Sequence, residues 1–552
     1  MGRKENSLRR IVVALMSLAI LIFAIAQPGA QAKDPEPGEP VVLKSWLPNW
    51  PISNEMWRIL SADLEKLGIQ VELKTGNLDE WVGDIIGVGN RYHFVTMAWG
   101  GGTDRLEPDF FLTEWFHSAR AVKGGRNYGS YINKEYDKIA DAQRIEMDRN
   151  KRQVLVRKAQ KVVARDHASF PVFHHDYIHG YNTERVEGVI PVPGCGIGFP
   201  YNPWTFYKAR PRTAIREVRL ANIHDIQTLN PLGLPEAEND AWLRLMYDTF
   251  VKYDPDLNLV PWAAESWKIV DNTTVDIVLR DGMKFHDGKP VTVEDVKFTF
   301  DYIRKWEFPA YSNAWKNIKS IDIMDGRKIR FKLVRPFAPF VANVLGYVPI
   351  LPKHVWETIP GTVGVAHPSD WPNPKPIASG PYEFVEWKKA EYLHLKANKN
   401  HFMAPNFDGM YVIVNPTING IITMLEKGQI EITAWNLDGK QAQRLNTLPN
   451  IKAVAAPNHG LYEIRPNLKM KPTDDLAFRK AIHHAINQNA MLDIILGGYG
   501  KICANTPITP VNKFWNDPEI PVVEFDLNKA KKILKDAGYT WDQKGRLCYP
   551  KK

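Results

Sequence analysis

From Val41 onward, short β-like runs alternate with amphipathic helical stretches, and this alternation constrains the fold more than any other feature. Asn54 to Leu67 reads as a helix and Ile69-Gln70-Val71-Glu72-Leu73 as the strand after it. Tyr92 to Ala98 reads as another strand, ending at Gly100-Gly101-Gly102. Asp137 to Asp166 carries Ile139, Val154, Leu155, Ala159 and Val162 at helical spacing. Further on, Glu217 to Asn222, Thr274 to Leu279 and Lys328 to Leu333 read as strands, and Asp474 to Gln488 and Asn528 to Ala537 as helices. Such alternation predicts an α/β architecture. A chain of 552 residues, 44% of them hydrophobic, has material for several domains. Lys33 to Pro40 reads as a flexible spacer, Lys208 to Arg216 as a basic seam, and the proline-rich Pro368 to Pro376 as an interdomain loop.

The N-terminus predicts export. Arg3, Lys4, Arg9 and Arg10 form a positive region, Ile11 to Ala26 is continuously apolar, and Ala30-Gln31-Ala32 gives a small-x-small cleavage site. Sixteen apolar residues are short for a membrane span, which needs about 20. No cysteine follows the site, so lipidation is not expected, and a periplasmic destination is favoured. The net charge of +9 includes no lysine/arginine run long enough for a nucleic-acid arm. Three cysteines, Cys195, Cys503 and Cys548, leave the connectivity open; one option pairs Cys503 with Cys548.

Residues 217–310 carry longer motifs: Thr228-Leu229-Asn230-Pro231, Tyr247 to Asp254, Pro261 to Trp267, and above all the string from Leu279 to Val296, LRDGMKFHDGKPVTVEDV. Together with Ser379-Gly380-Pro381-Tyr382 and Ala477 to Ile482, these resemble the peptide/nickel class of extracellular solute-binding proteins, family 5. The order of the segments differs. Ala530-Lys531-Lys532-Ile533-Leu534 to Gly538-Tyr539, which in the family precedes further strands and helices, here lies near residue 552, and the segment resembling what should follow occupies residues 41–210. The resemblance therefore implies a circularly permuted, two-lobed α/β fold. Residues 41–180 and 461–552 would form one lobe, 181–260 and 365–460 the other, and 261–364 an extra domain. It also implies a periplasmic binding component of an ABC importer, a monomer that hands a small, peptide-like ligand to an inner-membrane permease without a cofactor.

Binding residues follow from the resemblance. Asp104, three residues before Glu107-Pro108, matches an aspartate that holds a ligand amine; its alternative role is capping the next helix. Trp81 and Trp99 match cleft-lining positions, Trp435-Asn436 an aromatic–asparagine cleft pair, and Asn127 a cleft asparagine; Gly233 and Leu234 match backbone contacts. For Trp81 and Trp435 the competing role is core packing. His174, His175, Asp176 and His179 raise a metal site, yet a strand there would send alternate residues to opposite faces. No G-x-S-x-G, H-E-x-x-H or Walker motif supports an enzyme. A sensory binder serving a membrane receptor, a secreted hydrolase, and nickel-complex, opine or oligosaccharide ligands remain the alternatives.

Overall fold

The computed structural model describes residues 34–86, 91–233 and 241–551. The predicted export signal and Leu234 lie outside the described residues.

The chain begins with β1 (Val42–Pro48), β2 (Gln70–Gly76), β3 (Phe94–Ala98) and β4 (Phe170–Asn182). Strands β2 and β3 both run parallel to β1. Parallel neighbours need a crossover, and the helix Pro51–Lys66 supplies the one between β1 and β2. Alternate residues of β1 enter different cores: Leu43 and Leu47 pack with Trp57 and Phe478, whereas Trp46 packs with Trp115 and Tyr136. Both faces of this sheet are therefore covered.

Strand β4 is thirteen residues long and leaves the first lobe for the second. There it joins β5 (Glu217–Asn222), β6 (Gly409–Val414), β7 (Ile432–Thr433) and β8 (Ile451–Pro457). Strand β5 is parallel to β6 and β7, and the hairpin Tyr382–Lys388/Tyr392–Ala397 extends this half beside β6. The second half of β4, Asp176 to Asn182, pairs with β8. The chain then returns to the first lobe as β9 (Tyr462–Pro466), between β3 and β4. The backbone thus passes between the lobes along β4 and again from β8 to β9. This is a two-lobed α/β fold. A four-stranded antiparallel sheet, Ala264–Asp271, Thr274–Leu279, Lys328–Leu333 and Ile318–Asp325, shares one core with the second lobe, through Val275, Ile277 and Phe331 beside Leu220 and Met410.

The string 279–296 is a folding signal. Gly288 has φ +86°, a conformation that favours glycine, and the turn closes through Phe285 N–H to Lys289 O at 2.8 Å. Thr292 then caps the helix Val293–Lys305 while the Asp295 carboxylate accepts from the Thr292 N–H, a reciprocal capping box.

Three expectations need correction, and the open question of cysteine pairing has an answer. The spacer before Val41 is pinned: Gly38 N–H donates to Tyr549 O, Tyr549 N–H to Glu39 O and Val41 N–H to Leu547 O. Backbone groups of Leu547 to Tyr549 offer it a partner strand. The predicted helix over Asp137 to Asp166 is two helices, Lys134–Ile145 and Arg149–Arg165, because Asp148 caps the second through Asn150 and Lys151 N–H. Val154 is 66% exposed there, and Val156, Ala159 and Val163 form the buried stripe. All three cysteines are free and buried, so Cys503 and Cys548 do not pair.

Candidate functional site

A cleft of about 780 Å³ opens between the first lobe and residues 309–348, within the segment expected as an extra domain. Asp104, Phe110 and Arg126 line one side, and Tyr311, Arg335 and Tyr347 the other. A smaller recess, sharing Asp104 and Tyr347 with it, continues towards Tyr201 and Tyr253 of the second lobe. Asp104 therefore faces the meeting point of both lobes and the extra domain.

The local chain explains how Asp104 is presented. Strand β3 ends at Ala98, the glycine run turns the backbone, and a short 3₁₀ turn, Thr103–Leu106, carries Asp104. Gly102 occupies the N-cap of that turn and Pro108 that of the helix Asp109–Phe116, neither with a side-chain cap bond. The capping role for Asp104 is thereby removed. Its acidic neighbours are committed elsewhere. Glu107 forms a buried ion pair with Arg152. Asp109 accepts from Thr113, Gln143 and Arg144. Asp104 makes no hydrogen bond or ion pair among the described residues. A half-buried carboxylate left unmatched in a cleft is suited to a cationic group from outside.

Trp99 stands behind this segment. Its Nε1 donates to Glu463 at 3.0 Å, and its ring lies edge-on 4.0 Å from Trp115. Glu463 is itself paired with Arg465, both buried on β9. The other candidates are held by the fold. Trp81 is 4% exposed and packs in the first-lobe core beside Trp50, away from the cleft. The Asn127 amide donates to the carbonyls of Phe116, His117 and Tyr131 and accepts from Tyr131 N–H, so it organises its own loop. Trp435 packs edge-on against Phe199 and His224, and Asn436 accepts from Ile178 N–H at 2.6 Å, which ties Asn436 to the crossing strand β4. A Cβ on Gly233 would come within 2.7 Å of Ser369 O, so this glycine serves close packing.

The histidines of β4 divide between its faces. His175, Tyr177 and His179 form one ring series, whereas His174 alternates to the other face. Among the described residues no group of three or more His, Cys, Asp or Glu could hold a metal ion. Burial pulls the His174 and His175 imidazoles down to about 4 and His179 to about 3, which favours the neutral rings.

Two interlobe contacts had no sequence signal. Gly101 and Gly194 touch backbone to backbone, so closely that a Cβ on Gly101 would lie 1.9 Å from Gly194 O. On the cleft side, Ala338 N–H donates to Arg144 O at 2.8 Å, and the Arg144 guanidinium lies 5.2 Å from the Phe337 ring centre. Only the three-dimensional pairing gives either residue a meaning.

Oligopeptide-binding protein AppA of Bacillus subtilis is 30% identical over 304 residues, covering 53% of this chain and 54% of that protein. Glutathione-binding protein GsiB of Salmonella typhi is 25% identical over 349 residues, covering 60% of this chain and 63% of that one. The chain thus spans between about half and two thirds of the curated relatives it matches. A periplasmic oligopeptide-binding protein from Thermotoga maritima aligns structurally with TM-score 0.50 at 22% identity, over 60% of this chain and 65% of that one, a likeness of fold. The profile of the bacterial extracellular solute-binding proteins, family 5 (middle), matches residues 258–551. That match covers more than half of the chain, and the chain belongs to the bacterial extracellular solute-binding proteins of family 5.

Proposed function

We propose that this protein is the periplasmic binding component of an ABC importer and captures a small amine-bearing, peptide-like ligand between its lobes, as a carrier and not a catalyst. The observation that carries the reading is Asp104: its acidic neighbours Glu107 and Asp109 are paired and buried, and among the described residues it is the carboxylate left for a cation in the cleft. Relatives named for oligopeptide and glutathione binding support a peptide-like ligand. Residues 3–32 support export. Calorimetric titration with Ala-Ala-Ala and its N-acetylated form tests the contact. Asp104→Asn should weaken Ala-Ala-Ala binding by roughly 10–100-fold, the range of a charge-assisted hydrogen bond. Acetylation should weaken it similarly in the parent protein, and equal affinities throughout would refute the contact.

The segment order supports a second element of this reading, a circular permutation of the family arrangement. Residues 38–41 and 547–549 are hydrogen-bonded to each other, as a continuous family-order chain would need. Both segments belong to the first lobe, away from β4 and the β8–β9 crossing, so lobe movement is unaffected by the new order.

A further inference from the structure

Among the described residues, the charges facing the cleft do not balance. Of its carboxylates, Asp109 is paired with Arg144 and Glu114 with Arg120, which leaves Asp104. Three further cations line the same cleft: Arg126 from the first lobe, and Lys316 and Arg335 from the extra domain. None of the three has a carboxylate within ion-pair distance among the described residues; Arg126 and Lys316 lie only against the rings of Trp115 and Trp315. The segment carrying Arg335 is anchored, since Val334 N–H donates to Asn317 O at 2.8 Å. Exposed lysines and arginines usually form a solvated face. Here they converge from two bodies on one concave surface, where low-dielectric walls strengthen their common field.

We infer that the ligand carries, besides the amine for Asp104, acidic groups towards its other end that are met by Arg126, Lys316 and Arg335: a short acidic peptide with net negative charge. This inference rests on the proposed function and adds the charge class of the ligand. A neutral peptide offers one carboxylate to three unmatched cations; an acidic one offers several. A basic peptide brings like charge against them and is disfavoured.

The test is titration of the protein with Ala-Glu-Glu, Ala-Ala-Ala and Ala-Lys-Lys at low salt. Ala-Glu-Glu should bind at least about tenfold more tightly than Ala-Ala-Ala, with Ala-Lys-Lys weakest. The preference should shrink in about 0.5 M NaCl, because these cations are exposed and screened. In the doubly substituted Arg126→Gln/Arg335→Gln protein, the ratio of Ala-Glu-Glu to Ala-Ala-Ala affinity should fall to within about twofold of one. Thermal melts by circular dichroism check that this variant is folded, and the salt series on the parent protein tests the same field without any substitution. Equal binding of Ala-Glu-Glu and Ala-Ala-Ala would overturn the inference and leave the amine contact standing. A preference that persists in the folded double variant would also overturn it, by placing acid recognition elsewhere. An N-acetylated Ala-Glu-Glu that binds as tightly as the free peptide, with the acidic preference intact, would support the cationic wall and refute the Asp104 contact. If none of the peptides binds, both readings fall.

Discussion

At the scale of single residues, the buried histidines set how the protein responds to acid. His93 accepts from Lys44 N–H at Nδ1 and donates from Nε2 to Lys471 O, an arrangement that requires a neutral ring. Burial holds His93, His174, His175 and His459 down at about 4 and His179 at about 3. Unfolded, each titrates near 6.5. Between pH 6.5 and about 4 the unfolded chain therefore binds more protons than the folded one, and stability falls as pH falls through that window. Unfolding free energies from urea denaturation at pH 7.5, 6.0 and 5.0 should decline steadily, by several kcal/mol in total. A midpoint unchanged between pH 7.5 and 5.0 would contradict the burial of neutral rings. The same scale shows what one-dimensional reading reaches. Asp104 could be picked out as a candidate because its spacing to Glu107-Pro108 is a local pattern. The fate of Trp81 and Asn127 was not, because their partners, the Trp50 ring and the carbonyls around Asn127, are fixed only when the chain folds.

At the scale of elements, the glycine run after β3 has a defined purpose. Gly101 meets Gly194 across the lobes, with the nearest Gly194 atoms 1.9 and 2.3 Å from where a Cβ would sit. Those atoms are backbone and cannot rotate away. Gly101→Ala should hold the lobes apart at this contact, weakening Ala-Ala-Ala binding at least about tenfold and enlarging the ligand-saturated protein in small-angle X-ray scattering. Parent-like affinity and radius of gyration would show that the contact does not limit closure. Element boundaries were legible where pattern and burial coincide. Glu217–Asn222, Thr274–Leu279 and Lys328–Leu333 are strands with the predicted ends. The predicted helix over Asp137 to Asp166 failed at Asp148, where one side chain accepting from two N–H groups starts a new helix that periodicity alone runs through.

At the scale of the whole molecule, two crossings of the backbone, along β4 and between β8 and β9, join the lobes, and a charged cleft opens between the first lobe and residues 309–348. This arrangement suits capture by closure, in which a ligand favouring the closed state shifts the population towards it. The proposed permutation is tested by reordering the chain. A protein running from residue 213 to 551 and then from 34 to 212 should fold to the same far-ultraviolet spectrum and bind the same peptides. An insoluble or expanded product would mean that the present order is needed for folding. The family was legible from the 279–296 string, which encodes a turn and a capped helix. The cleft was not, because Arg335, Tyr347 and Asp104 are far apart in sequence and meet only in space.

If the cleft binds amine-bearing peptides, such peptides should shift the thermal unfolding of the protein. The protein should melt at a higher temperature with saturating di- to pentapeptides, by an amount that grows with ligand concentration. Opines, oligosaccharides and divalent metals should leave it unchanged, and Asp104→Asn should shrink the peptide effect at equal ligand concentration. Stabilisation by a sugar or a metal ion, with none by any peptide, would contradict the account.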